Sequence, residues 1–271
     1  MAEKQKPNKA NKPLPVMEIF GPTYQGEGVL AGCQTYFIRF GLCDFDCTMC
    51  DSRAAVDPGL VRQNAKWMRQ DEIFDALMEL ASKTPNGCHT VTLSGGNPCI
   101  HDLTILCNAL HKAGWMITVE TQGTKSPPWL AMVDLVMVSP KGPGMGELFD
   151  PEVFTAFMDH MNRLGKAVGI KIVLFDQRDL EFADLVFSLA PVSENVQHFF
   201  SLGNKFPPMT EQEVRLSKTS VSENDYNVRL KNALLEDYRT LCEDILQDAR
   251  FHHVTFFPQL HVLIWGNAPG V

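Results

Sequence analysis

The chain has 271 residues, 45% of them hydrophobic, and a formal net charge of −8. Its length suits one large α/β domain or two small ones with a sizeable core, and its acidic balance excludes a broad nucleic-acid groove, which needs clustered Lys and Arg. No run approaches the ~18 apolar residues of a membrane helix and no apolar leader stands at the start, so a cytoplasmic protein that engages no membrane is expected.

Residues 1–15, with Lys4, Lys6, Lys9 and Lys12 among Asn and Pro, are expected to form a flexible solvated tail, and residues 16–271 a single domain. Residues 35–40 (TYFIRF) read as the first strand. In 70–82, Ile73, Phe74, Leu77 and Leu80 stand at helical spacing. Residues 89–93 are the second strand, followed by a Gly-Gly turn and a helix near 102–113. Residues 116–121 and 135–138 are the third and fourth strands. A helix over 153–164, a strand over 169–175, a helix over 179–189 and a strand over 196–202 continue the pattern. Residues 203–230 are polar and read as an irregular excursion from the core. A helix over 234–249 and a strand over 253–257 close the series. Strand–helix alternation implies a parallel sheet with crossover helices, and about six such units suit an open or complete βα barrel.

Polar and glycine-rich clusters follow the strands, at 41–52, 94–98, 120–123 and 139–146. In a parallel barrel the strand C-termini share one face, so these clusters are expected to converge.

Of eight cysteines, Cys43, Cys47 and Cys50 crowd one short stretch. Cys33, Cys88, Cys99, Cys107 and Cys242 are scattered and read as buried or incidental thiols. Close spacing points to metal or cluster ligation rather than disulfides. Thiolates suit iron–sulfur clusters and zinc alike. Three of them on a four-iron cluster leave one iron open, where the amino and carboxylate groups of S-adenosylmethionine can chelate. A structural zinc would need a fourth ligand, from His89 or Cys33.

The segment Ser94-Gly95-Gly96-Asn97-Pro98 follows the second strand; glycine there lets backbone approach a ligand, or simply makes a tight turn. Upstream, Gln25 and Glu27 flank a glycine before the first strand. They form either a polar turn or an amide and a carboxylate reading the edges of a flat heterocycle. Arg39 near the end of its strand suits a carboxylate substrate or a buried ion pair. Asp51 and Ser52 beside the cysteines suit Mg²⁺ or a helix N-cap. The closing stretch 257–271 is apolar, with His261 just beyond the last strand.

A cysteine triplet after the first strand and a Gly-Gly turn after the second make the chain resemble the radical S-adenosylmethionine superfamily. GPTYQGEG, CDFDCTMCDS, LSGGNP, VETQGT, VSPK and PQLHVLIWGN resemble the 7-carboxy-7-deazaguanine synthase family, from about residue 16 to the end. The resemblance implies an α/β fold, a partial or modified (β/α)6 TIM-like barrel. It also implies conversion of 6-carboxy-5,6,7,8-tetrahydropterin to 7-carboxy-7-deazaguanine with loss of ammonia, in queuosine (deazapurine) biosynthesis. The implied cofactors are a [4Fe–4S] cluster on Cys43, Cys47 and Cys50, S-adenosylmethionine, and Mg²⁺ on Ser52. A homodimer and a flavodoxin- or ferredoxin-like electron donor are implied as partners. S-adenosylmethionine would meet Met49, Gly96, Glu120, Ser139, Pro140 and Lys141. The pterin would meet Tyr24, Gln25, Gly26, Glu27, Arg39, Ser94, His261 and the carboxylate of Val271, with Glu27, Arg39 and His261 as catalytic residues. Asn97 stands where the superfamily often has Glu, so the contact at this turn is assigned to the Gly96 backbone. A glycyl-radical activating enzyme with a groove for a protein loop, and a zinc or cluster module without catalysis, are the competing readings.

Overall fold

The chain alternates β1 (Leu14–Tyr24), β2 (Gln34–Phe40), α1 (Arg53–Val56), α2 (Pro58–Asn64), β3 (Lys66–Met68), α3 (Gln70–Ser82), β4 (Thr90–Gly95), α4 (Thr104–Lys112), β5 (Met116–Thr121), β6 (Leu135–Val138), α5 (Pro151–Arg163), β7 (Ala167–Leu174), α6 (Gln177–Leu189), β8 (Val196–Leu202), α7 (Glu223–Leu246), β9 (Thr255–Phe257) and α8 (Leu260–Trp265). The computed structural model describes residues 11–84, 87–205 and 223–266.

One sheet runs in the order β3-β1-β2-β4-β5-β6-β7-β8-β9. From β2 through β9 every pair is parallel, while β1 is antiparallel to both neighbours. No hydrogen bonds join β3 to β9. Six parallel strands, β2 and β4–β8, with a short seventh thus make an open array, in keeping with the partial βα barrel expected.

Strand alternation explains which face turns inward. Side chains on a strand point alternately to either face. Tyr36, Ile38 and Phe40 of β2, Val91 and Leu93 of β4, Ile117 and Val119 of β5 and Val168, Ile170 and Ile172 of β7 share one parity. They pack with helix residues Ile73, Leu77, Leu106, Leu110, Phe154, Phe157 and Leu180 in one core. The opposite parity carries Thr35, Phe37 and Arg39, Thr92 and Ser94, Thr118 and Glu120, and Gly169, Lys171 and Val173. Thr35, Thr92 and Thr118 link through their hydroxyls at 2.9 and 3.0 Å across three strands. The barrel interior is therefore polar, and its layer toward the strand C-termini holds Arg39, Ser94, Glu120 and Lys171.

Three expectations change. Strand β1 is an element the sequence pattern does not predict; its alternation is broken at Gly21-Pro22, where the pairing with β2 shifts register between Phe20 and Thr23, a position that tolerates proline. The tail does not extend to residue 15. Leu14 and Pro15 pair with Met68 and Trp67, and Asn11 Oδ1 accepts from the Gln70 amide at 3.0 Å; residues 1–10 lie outside the described residues. The irregular excursion also ends early, because α7 begins at Glu223. Leu230, Leu234, Leu241 and Ile245 bury one face of that helix, and residues 206–222 lie outside the described set.

Candidate active site

The cysteine loop leaves β2 at Gly41. Leu42 sits in the left-handed region (φ 74°), held by its amide on Ala55 O at 2.7 Å and its carbonyl under Asn97 N at 2.9 Å. Beyond it, Cys47 is buried with Met145 and Phe175, and Phe45, Met49, Cys50 and Val173 close around them. Thr48 N and Oγ1 both bond Met145 O, at 3.0 and 3.2 Å, which docks the loop onto the turn after β6. Burial pushes the Cys47 thiol up to about 12 and Cys50 to about 11, and raises Cys43, while the Lys141 ammonium pulls all three the other way. Such thiols stay protonated at neutral pH until a cation takes them and the protons leave.

That donor set fits an iron–sulfur cluster. The ligands are soft, the surroundings dry, and Cys43 Sγ receives N–H groups from Phe45 and Gln122, each at 3.4 Å. Hydrogen bonds to cluster sulfurs are among the levers that set potential. No group of three His, Cys, Asp or Glu among the described residues converges on a single metal ion; cluster ligands bind separate irons. The fourth zinc ligand proposed from sequence is excluded by topology. Cys33 precedes β2 and His89 precedes β4, whereas the triplet follows β2, roughly 20 Å away along a seven-residue strand. His89 instead packs edge-on against Trp115.

Asp44 ties the loop to the rest of the site. Its oxygens accept from Asn97 Nδ2 at 2.8 Å, from Gln122 Nε2, and from Thr124 Oγ1 at 2.6 Å. Asn97 is fully buried, and its Oδ1 accepts from Cys99 N at 3.1 Å and Thr121 Oγ1 at 2.9 Å. The side chain at 97 is thus a brace between the cysteine loop and β5. The glycines before it serve the same crossing. A Cβ on Gly95 (φ 131°) would run into the Phe40 backbone, and one on Gly96 into the Leu42 carbonyl. Gly96 N–H is committed to Phe40 O at 3.0 Å, so a ligand contact at Gly96 falls to its carbonyl. Asp44→Ala should lower stability by about 2 kcal/mol, because it strands buried donors, and should at least halve the iron retained through anaerobic gel filtration. Full iron retention would remove the bracing role.

The Gln25-Gly26-Glu27 turn enters the barrel interior, and the short turn after it, Gly28–Leu30, packs against β7 and β8. Gln25 is buried: Oε1 accepts from Gly26 N at 2.8 Å and Glu27 N at 3.3 Å, and one N–H of Nε2 donates to Glu120 Oε1 at 2.9 Å. It therefore shapes the turn and anchors Glu120. Glu27 accepts from Lys171 Nζ at 2.7 Å, from Ser201 Oγ, and from Gln259 Nε2 at 3.3 Å. Burial alone would raise its pKa. The charges of Lys171 and His261 and the bonds from Lys171 and Ser201 overcome that and hold it at about 2. His261, on α8, packs on the turn so closely that a Cβ on Gly26 would meet its Nδ1.

Arg39 reaches the cysteine loop as expected, donating to Ser52 Oγ at 3.0 Å, and also pairs with Glu18 at 3.5 Å. Ser52 precedes α1 but makes no side-chain cap bond; its hydroxyl donates to Asp51 at 3.1 Å. Ser139 and Pro140 follow β6, and Lys141 Nζ donates to Ser139 Oγ at 3.0 Å. Ser94 Oγ and Gln259 Oε1 are buried without a partner, acceptors of the kind a bound ligand satisfies. Tyr24, which leads into the Gln25-Gly26-Glu27 turn, is half exposed, and its hydroxyl takes a 3.4 Å bond from Gln34 at the start of β2. Val271 lies outside the described residues. Sequence reasoning missed Asp44, Lys171, Ser201 and Gln259. Only Lys171 carried a signal, as the lone charge within an apolar strand.

The comparisons agree with this geometry. Residues 37–136 match the radical SAM superfamily model. The 7-carboxy-7-deazaguanine synthase of Bacillus cereus is 32% identical over 259 residues, covering 95% of this chain and 99% of the relative. That of Bacillus subtilis is 33% identical, with 96% and 99% covered. In fold, the chain is similar to QueE from Escherichia coli, with a TM-score of 0.56 and 22% identity over 75% of this chain and 87% of that one. No helix among the described residues is long and apolar enough to cross a membrane. With whole-length identity at this level, and the cysteine loop and glycine crossing in place, the chain belongs to the 7-carboxy-7-deazaguanine synthase family of radical SAM enzymes.

Proposed function

We propose that this chain forms 7-carboxy-7-deazaguanine from 6-carboxy-5,6,7,8-tetrahydropterin, with loss of ammonia. One observation carries the reading: an ionised, buried Glu27 stands inside the barrel, next to the strand ends that bear the desolvated cysteine loop. A carboxylate held there accepts an N–H group from the edge of a flat heterocycle, and His261 packs beside it on the same turn. Family membership supports the [4Fe–4S] cluster and S-adenosylmethionine, which together supply one-electron cleavage of the sulfonium and a carbon radical that abstracts hydrogen.

The chain's own residues bind, orient and exclude water. Cys43, Cys47 and Cys50 are the cluster ligands, in a loop kept dry by Met49, Met145 and Phe175. Lys141 and Ser139, with Pro140, the Gly96 carbonyl and Glu120, line the side where S-adenosylmethionine binds. Arg39, with Ser94 below it in register, holds the pterin carboxylate, while the Gly26 backbone, Glu27 and His261 hold the ring. Gln25 acts by fixing Glu120 and the turn. Holding the target hydrogen close to the radical carbon, away from other donors, is the protein's main contribution to rate.

Ser52, already bonded to Arg39 and Asp51, is the residue that would hold Mg²⁺, and the ion would supply Lewis-acid polarisation of the substrate carboxylate. Chelating Mg²⁺ should slow turnover at least tenfold, and an unchanged rate would remove the metal from this reading. A homodimer, a flavodoxin- or ferredoxin-like electron donor and a cytoplasmic setting complete the proposal. The deciding experiment is an anaerobic assay with the carboxytetrahydropterin, S-adenosylmethionine and reductant, following the deazapurine ultraviolet band. S-adenosylmethionine cleavage without that band would sink the reading and favour a glycyl-radical activating enzyme.

A further inference from the structure

Strand β7 reads AVGIKIVL, and its single charge faces the barrel interior. Lys171 lies opposite Phe199 of β8 and is 13% exposed, against 11% for its partner Glu27, with Nζ 2.7 Å from Oε2. Stability alone does not account for such a pair, since packed apolar side chains of similar volume do as well or better.

The hydrogen-bond count on Glu27 gives the pair a purpose. A carboxylate offers about four acceptor positions. Ser201 and Gln259 occupy Oε1, and Lys171 takes one position on Oε2. One position remains, on the oxygen that Lys171 holds. Every element packed around the pair sets its charge: His261 from α8 faces Glu27, while Glu120 from β5 and Asp51 from the cysteine loop face Lys171. Burial would discharge the lysine, and the acids Glu27, Glu120 and Asp51 keep it charged.

We propose that Lys171 is a positioning residue for substrate recognition: it aims the Glu27 carboxylate so that the open position on Oε2 accepts the N–H edge of the pterin ring. The inference rests on the tetrahydropterin reading above and deepens it. The hydrogen bond of Lys171 goes to Glu27, so its loss should chiefly weaken binding, with little change in kcat.

The test uses cluster-loaded protein and 7-carboxy-7-deazaguanine, a stable probe with the same N–H edge, titrated by calorimetry between pH 5.5 and 8. Lys171→Met should weaken the probe roughly tenfold to fiftyfold at pH 7, the worth of a charge-assisted hydrogen bond. The loss relative to wild type should deepen as pH falls, because without the Lys171 charge and bond Glu27 keeps only the Ser201 bond and His261 against its burial and takes up a proton more readily. Lys171→Arg should recover most of the affinity. The double variant Glu27→Gln/Lys171→Met should bind within about twofold of Glu27→Gln alone. If Lys171→Met does not fold, that last comparison carries the test, since the double variant leaves no unpaired charge. Wild-type affinity in Lys171→Met, a loss independent of pH, or a double variant weaker than Glu27→Gln by tenfold would overturn the role of Lys171 alone. A wild-type chain that neither binds the probe nor converts the tetrahydropterin would overturn the functional reading, and this inference with it.

Discussion

Cys47→Ser is expected to yield a folded, nearly colourless protein with less than one iron per chain in place of about four. Release of 5′-deoxyadenosine from S-adenosylmethionine should fall by ~10³-fold or more. Cys47 is the most enclosed of the three loop cysteines, packed with Met145 and Phe175. A serine hydroxyl there is a hard, weakly acidic ligand in place of a soft thiolate, and the dry pocket that pushes the Cys47 thiol up to about 12 opposes an alkoxide still more. The shape is nearly unchanged, so the fold should lose only ~1 kcal/mol. Anaerobic iron and sulfide analysis, circular dichroism and the nucleoside yield measure the three effects. Cys33→Ser is the control: Cys33 is exposed and at the opposite end of β2, so it should keep full iron. A Cys47→Ser protein with four irons would show that the triplet is not the ligand set, and loss of metal from Cys33→Ser would restore the zinc reading.

Much of this site was legible before any coordinates, for a physical reason. Strand alternation and strand-end clustering are local in sequence, and they are what places Arg39, Ser94, Glu120 and Ser139 on one inner layer. Where several residues cooperate across the sheet, local reading failed. Gly95 and Gly96 suggested room for a ligand, yet the space they save is filled by the Phe40 and Leu42 backbone. Asn97 looked like a replaced ligand contact and is a brace to Asp44. Gln25, expected to read the heterocycle, also shapes its own turn, through Gly26 and Glu27, and holds Glu120 with one N–H. Each of these roles depends on a partner far away in sequence that no spacing announces. Lys171 is the instructive middle case. Its parity on β7 points it inward, and a lone inward charge in an apolar strand implies a buried partner of opposite sign. The identity of that partner, 144 residues upstream, required the fold.

Glu27→Gln is expected to raise KM for the tetrahydropterin ~10–30-fold and to lower kcat/KM by roughly 10², while S-adenosylmethionine cleavage in the absence of pterin changes less than about twofold. The amide keeps the shape of the carboxylate but offers one acceptor oxygen where there were two. Lys171 can only donate, so the amide oxygen turns to Lys171 and the NH₂ faces Ser201 and Gln259. Both can adapt: the Ser201 hydroxyl rotates to accept, and Gln259 can present its Oε1, which has no partner at present. The fold therefore survives, at a cost of about 3 kcal/mol for a buried Lys171 that loses its ion-pair partner and keeps only the charges of Glu120 and Asp51. The ligand still finds one acceptor beside Lys171, but a neutral one, and a neutral hydrogen bond is worth about half a charge-assisted one. The variant also has a pH signature. Glu27 has its pKa lowered from 4.5 to about 2 in the fold, so its ionisation contributes stability that is fully present above pH 4.5 and drains away as pH falls toward 2. Glu27→Gln should flatten that limb of the denaturation midpoint against pH. Equal loss of pterin turnover and uncoupled cleavage would mean a damaged fold. An unchanged KM would take Glu27 off the heterocycle, leaving its ion pair with Lys171 as structure alone.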